Sequence, residues 1–316
     1  YPTTQHLTYD AASASGLIEA NGLSFGQAVV PSYHFDKANV IVGINCDFLG
    51  NWVSPIEFAG QWAETRKLNS LQGGKKTMSR HYQFETGMTI TGGAADYRSM
   101  IKPSEEGKLV VSLYNKVAAL LGGSSLAGAT INTANLDKCA KDLAAAKGSA
   151  VVVSGSNDAN IQMVVNALNQ LLGSYNSTIN LNTPLHTKKG SDKTLPQLIT
   201  ELKNGSVDTV LFMGVNPMYD SSMSEEFKGA VAKAKLSVSF NDRADETAQL
   251  CKFIAPMPHY LESWGDVEPK RGSFSLIQPT ISNIYNTRQY EISLMKWAGL
   301  GSDYQAFIKS YWKTNI

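Results

Sequence analysis

Ala38-Asn39-Val40-Ile41-Val42-Gly43-Ile44-Asn45 is the stretch from which the fold can be read. Its apolar, β-branched residues follow one another instead of alternating with polar ones. A strand covered on both faces needs that pattern, and strands covered on both faces belong to parallel sheets. A helical stretch over 55–67 follows a short turn. The same succession recurs downstream. Residues 149–154 read as a strand leading to a helix over 161–172, which Gly173 stops. Residues 208–213 read as a third strand before a helix over 224–235, with Ser224 as its cap and Glu225 and Glu226 just inside. A further strand is expected over 236–240. Apolar strands alternating with helices imply an α/β protein with mostly parallel sheets, here as two doubly wound, Rossmann-like lobes.

The Gly-, Ser- and Ala-rich stretch 122–133 interrupts the chain, and a helix over 136–147 then leads into the strand at 149. The lobes are therefore expected over 1–146 and 147–316. Residues 181–194 are polar and read as an exposed loop. Residues 256–279 are rich in Pro, Gly, Trp and charge and read as a long irregular connection, the kind that serves function or an interface.

With 316 residues, 43% apolar and 17% charged, the chain has enough to bury two cores. A formal net charge of +1 removes the electrostatic case for nucleic acid or an anionic membrane surface. No apolar run reaches the roughly 20 residues that span a bilayer, so direct membrane insertion is not expected. The sequence opens at Tyr1 with no basic-then-apolar leader and reads as a mature protein or an excised segment. Cys46, Cys139 and Cys251 are about a hundred residues apart, and His6, His34, His81, His186 and His259 are scattered. Cluster and zinc sites need grouped ligands, so no metal site is expected, and each cysteine reads as a small buried hydrophobe.

Three strands end in the same short device: Gly43-Ile44-Asn45, Gly155-Ser156-Asn157 and Gly214-Val215-Asn216. Glycine permits a sharp turn or a close approach, and asparagine tolerates the left-handed region and bonds its own loop. The carboxyl ends of the strands are where open α/β sheets bind ligands, so Gly43, Asn45, Gly155, Asn157, Gly214 and Asn216 are the candidate cofactor-facing residues. Neither GxGxxG nor a P-loop is present. His259, Glu262 and Asp266 stand close together beside Trp264 and could support acid–base work. Without a nucleophile nearby they read more economically as a structured loop, and no catalytic residue is assigned.

Gly205-Ser-Val-Asp-Thr-Val-Leu-Phe-Met-Gly-Val-Asn-Pro217, then Asp245-Glu-Thr-Ala248, Pro256, Glu262, Gly265 and Gln278-Pro279, resembles in order the second α/β lobe of the molybdopterin oxidoreductase superfamily. Val40-Ile-Val-Gly-Ile-Asn45, Thr91-Gly-Gly-Ala-Ala-Asp-Tyr-Arg98 and Ile101-Lys-Pro103 resemble the companion lobe. Phe48-Leu-Gly50, Asn216-Pro-Met-Tyr-Asp220, Cys251 and His259-Tyr-Leu-Glu-Ser-Trp-Gly-Asp266 are similar to the large iron–sulfur subunit of alternative complex III. That subunit joins a cofactor-less molybdopterin-oxidoreductase-like region to a ferredoxin-like region carrying clusters, in a complex that passes electrons from membrane quinol to a periplasmic acceptor.

The resemblance implies a cofactor-free structural region whose six turn residues are vestigial. Its implied partners are the other subunits of a membrane-bound respiratory complex and the ferredoxin-like region of the same parent chain. Its implied place is peripheral, on the periplasmic side of the bacterial inner membrane, with Trp264 and Tyr260 as candidate interface anchors. Cys251-Lys252 stands where active relatives carry Ala-Asp, and the N-terminal cluster-binding cysteine motif is missing. The alternative implied is a fragment of an active enzyme that binds molybdopterin guanine dinucleotide. A stand-alone nucleotide-binding protein is a third reading, because fold alone does not dictate function.

Overall fold

The strand β2 (Val40–Ile44) is an inner strand of a four-stranded parallel sheet, and every residue in it is buried. A computed structural model describes residues 2–67, 71–72, 75–175 and 177–315. By its own contacts the chain divides into two units, Ala14–Lys189 and a second made of Tyr1–Ser13 with Gly190–Ile316.

The first unit contains α1 (Ser15–Phe25), β1 (Val30–Tyr33), β2, α2 (Pro55–Glu64), β3 (Arg80–Glu85), α3 (Ile90–Ala94), β4 (Tyr97–Met100), α4 (Glu106–Leu121), α5 (Leu136–Ala145), β5 (Ala150–Ser154), α6 (Ala159–Leu171) and β6 (Ile179–Leu185). Its sheet runs in the order β4-β3-β2-β5 with every pairing parallel. Alternate side chains divide cleanly between two cores, as the period of a strand requires. Val40, Val42, Ile44, Ala150 and Val152 pack with α4, α5 and α6. Ile41, Val151 and Val153 pack on the opposite face with Leu17, Phe35, Phe48 and Phe58. Helices on both faces make the unit doubly wound.

The boundary expected at residue 146 falls inside this unit. Val40 to Ile44 pairs residue by residue with Ala150 to Ser154, so the strand assigned to a second lobe is the neighbour of the first lobe's central strand. A glycine-rich interruption in sequence does not mark a domain edge when the strands on either side of it share backbone hydrogen bonds. The loop expected over 181–194 is also partly strand, because β6 pairs antiparallel with β1.

The second unit contains α7 (Thr194–Lys203), β7 (Thr209–Phe212), α8 (Pro217–Asp220), α9 (Ser224–Val231), β8 (Leu236–Ser239), β9 (Phe253–Ile254), β10 (Gly265–Lys270), β11 (Ser273–Ile277), α10 (Tyr290–Trp297) and α11 (Tyr304–Asn315). Strands β9-β8-β7 form a parallel sheet. Val210 and Phe212 bury against Leu195, Ile199 and Leu202 of α7 and Phe227 and Val231 of α9. Beyond the end of β8, Phe240 packs instead on Tyr290 and Trp297. Met223, not Ser224, occupies the cap position of α9, with Glu225 and Glu226 in its first turn. Residues 256–279 are less irregular than expected: β10 and β11 form an antiparallel hairpin turning at Gly272, whose φ of 82° suits a residue without a Cβ.

Among the described residues no helix is long and apolar enough to cross a membrane.

Candidate functional site

In the first unit the chain leaves β2 towards β3 and β4 and later returns to the other side of β2 as β5. The strand order therefore reverses between the carboxyl ends of β2 and β5, the position at which doubly wound sheets open a crevice. Here the chain's own groups bond one another. Gly155 N donates to the Ile44 carbonyl at 3.0 Å. A Cβ added to Gly155 would fall on the carbonyl oxygen of Asn45. Asn45, at a φ of 44°, accepts from Thr86 N at 2.8 Å and shares its side chain with Glu106. Ser154 Oγ donates to the Glu106 carboxylate at 3.2 Å, and burial raises that carboxyl above the usual range. Asn157 Oδ1 accepts from Gly16 N at 2.7 Å, at the start of α1. Gly43 lies within β2, and a Cβ there would meet Gln83 Oε1.

The structure thus brings Gly43, Asn45, Gly155 and Asn157 to one edge, but the shared spelling hides different roles. Gly43 and Gly155 serve close approach, and in the first turn it is Asn45 that takes the left-handed backbone.

In the second unit Gly214 itself is left-handed, with a φ of 64°, and Asn216 precedes Pro217 at the start of α8. Asn216 Oδ1 accepts from Thr247 N at 3.1 Å and Thr247 Oγ1 at 2.8 Å, and its Nδ2 donates to Glu246 at 2.8 Å. The bond from Asn216 draws the exposed Glu246 carboxyl below its usual range. Asn241, 4% exposed, holds the other side. Its Oδ1 accepts from Gly214 N at 2.8 Å while Nδ2 donates to the Val215 carbonyl at 2.9 Å and to Asp245 at 2.7 Å. The turn after β7 and the turn after β8 are thereby knotted together.

Beside this knot lies a cleft of 570 Å³. Among its described lining residues are five carboxylates, Asp10, Asp220, Asp242, Asp245 and Glu246, and one guanidinium, Arg243. Arg243 is already paired with Asp242 through Nε at 3.1 Å and a terminal nitrogen at 3.0 Å.

No protein-family model matches the chain. A search of curated proteins finds the menaquinone reductase molybdopterin-binding-like subunit of Nitratidesulfovibrio vulgaris, 28% identical over 214 residues, or 60% of this chain and 31% of that protein. Among solved structures, acetylene hydratase from Pelobacter acetylenicus superposes with a TM-score of 0.61 at 12% identity, over 91% of this chain and half of the hydratase. The formyltransferase/hydrolase complex of Methylorubrum extorquens, solved with methylofuran, gives 0.52 at 13% identity, over 87% of this chain and 78% of that one. The chain is similar to that molybdopterin-binding-like subunit and shares the fold of acetylene hydratase. It spans about a third of the curated relative's length.

A molybdopterin guanine dinucleotide carries a pyrophosphate, which calls for amide donors, a helix N-terminus or basic side chains. The residues at these two edges do not fit it. In the first unit the Glu106 carboxylate stands at the switch point and Gly155 is packed on Asn45. In the second, the amide of Gly214 already donates to Asn241, and the cleft has an excess of negative charge. Among the described residues no three His, Cys, Asp or Glu side chains gather in a way that could hold a metal. Burial pushes the Cys46 and Cys139 thiols well above their usual range and the Cys251 thiol up to about 11, so none is poised as a thiolate.

His259 and Glu262 form a local brace. His259 Nδ1 accepts from Leu261 N at 3.3 Å, and Glu262 accepts from His259 N at 3.2 Å and from Ile284 N at 3.2 Å. Asp266 accepts from Trp312 Nε1 at 2.8 Å. Trp264 is half-buried, and its N and O are both bonded by the amide of Gln289. Asn241 and Tyr9 were not foreseen. Asn241 follows a strand as part of Asn241-Asp242, a signal available to sequence reading, whereas nothing local marks Tyr9.

Proposed function

We propose that this chain is the cofactor-free structural region of a respiratory quinone oxidoreductase, a molybdopterin-oxidoreductase-like body that supports electron transfer carried by centres outside it. The likeness to a menaquinone reductase subunit supports the respiratory role. The observation that carries the cofactor-free part is the use made of both carboxyl edges. Their donors and acceptors are spent on bonds within the chain, at Asn45, Asn157, Asn216 and Asn241, and carboxylates stand where phosphates would need cations. A body of this kind braces an assembly and moves no electrons of its own.

The finer reading is an iron–sulfur subunit of the alternative complex III type, peripheral on the periplasmic face of the inner membrane. Its partners would be the other subunits of the complex and a ferredoxin-like region of the parent chain. The C-terminal stretch suits partner contact, since Tyr260, Ile284 and Tyr285 are exposed at 64%, 68% and 75%.

The test is elemental analysis of the purified full-length protein for molybdenum and tungsten, with fluorescence of oxidised pterin. Metal and pterin well below one per chain are expected. Stoichiometric amounts of either would return the chain to the active enzymes that bind molybdopterin guanine dinucleotide.

A further inference from the structure

Residues 2–8 are exposed, and burial of the N-terminal segment begins at Tyr9. From there three consecutive anchors tie it to a part of the second unit about 180 to 210 residues away in sequence. Tyr9 packs against the core formed by α7, β7 and α9, and its phenol donates to Asp220 Oδ1 at 2.7 Å. Asp10 Oδ2 accepts from Gly190 N at 3.1 Å. Ser13 Oγ donates to Asp192 Oδ1 at 2.6 Å. Gly190 supplies an independent indication that the fit is specific: a Cβ there would stand 2.8 Å from both the backbone nitrogen and the Cβ of Asp10, so only glycine admits the segment at this distance. Tyr9 and Asp10 line the cleft beside Gly214 and Asn216.

We propose that residues 9–13 are a built-in latch at the carboxyl edge of the second unit's sheet. The latch engages Asp220, which lines the cleft, and is held in place by Asp192 and the Gly190 amide. A ligand that bonded the Asp220 carboxylate from the cleft would have to displace the Tyr9 phenol. The proposal deepens the cofactor-free reading and rests on it for what the latch displaces, while the contacts stand by themselves.

Hydrogen exchange by mass spectrometry on the full chain tests it, comparing wild type with Tyr9→Phe and Gly190→Ala. Tyr9→Phe removes one hydroxyl and keeps the ring, so it serves even where Gly190→Ala fails to fold. Peptides covering 9–13 and 190–192 are expected to exchange roughly tenfold faster in Tyr9→Phe, equivalent to about 1.4 kcal/mol. They should exchange faster again in Gly190→Ala, with β2 and β5 of the other unit unchanged. The latch is refuted if wild-type residues 9–13 exchange as fast as 2–8, or if both variants retain full protection. Metal and pterin measured on the same sample keep the two ideas separable: a loaded protein with a protected latch overturns the cofactor-free reading alone.

Discussion

The carbonyl oxygen of Asn45 stands where a Cβ on Gly155 would have to go, leaving no room for a side chain between the ends of β2 and β5. Here the obstructing atom belongs to backbone. At Gly43 the atom in the way is the amide oxygen of the Gln83 side chain. Gly155→Ala is therefore expected to cost about 1–3 kcal/mol, as overpacking of a rigid site does, and Gly43→Ala less, because a side chain can move aside. Denaturant melts of the two variants check the order; equal losses would contradict it.

His81 is fully buried near Phe48 and Trp62, and neither ring nitrogen has a partner in the structure. Desolvation lowers its pKa from 6.5 to about 4. Between those values the unfolded chain takes up a proton that the folded one refuses. Stability is complete above pH 6.5 and declines as pH falls towards 4, by about 3 kcal/mol in all. Urea titrations across this range should show the decline in wild type, and His81→Leu should lose this component. An unchanged slope in the variant would place the effect elsewhere.

Asn241 bonds the turns after β7 and β8 through three contacts and is almost wholly buried. Asn241→Leu removes the bonds to Gly214 N, the Val215 carbonyl and Asp245, which keeps its bond from Ala248 N, at a cost of about 1–3 kcal/mol. Asn241→Asp keeps the acceptor for Gly214 but sets a carboxylate against the Val215 carbonyl and Asp245, and should be no milder. Thermal melts, with hydrogen exchange read at 214–218, would show whether the knot has this weight.

Trp264 and Tyr260 should separate fold from assembly. Trp264 is half-buried and clasped by Gln289, so Trp264→Ala is expected to destabilise the chain by about 1–3 kcal/mol. Tyr260 is largely exposed, and Tyr260→Ala should change stability by no more than about 0.5 kcal/mol while weakening co-purification with partner subunits. Normal recovery of partners with Tyr260→Ala would remove it from the interface.

Three strands could be read directly as runs of mostly apolar residues, Val40–Ile44, Ala150–Ser154 and Thr209–Phe212, and a fourth, Leu236–Ser239, as Leu and Val alternating with serine. Gly173 likewise ends the helix before it, with a φ of 69°. Burial on both faces imposes that composition wherever the strand lies, so the α/β class and parallel pairing were legible from local patterns. Arg80–Glu85 escaped because one of its faces carries His81, Gln83 and Glu85, which are buried through bonding and packing that no local pattern reveals.

The three Gly-x-Asn turns were visible as letters, and their roles were not. Which residue turns left-handed, and whether a glycine faces a ligand or a neighbouring carbonyl, depends on which strand lies alongside. That pairing joins residues more than a hundred apart, as Ile44 with Ser154 and Tyr9 with Asp220. Local sequence determined the elements and the parallel sheet. Only tertiary contact decided where the chain divides and what occupies its carboxyl edges, because a hydrogen bond or a close approach is set by distance in space and not by distance along the chain.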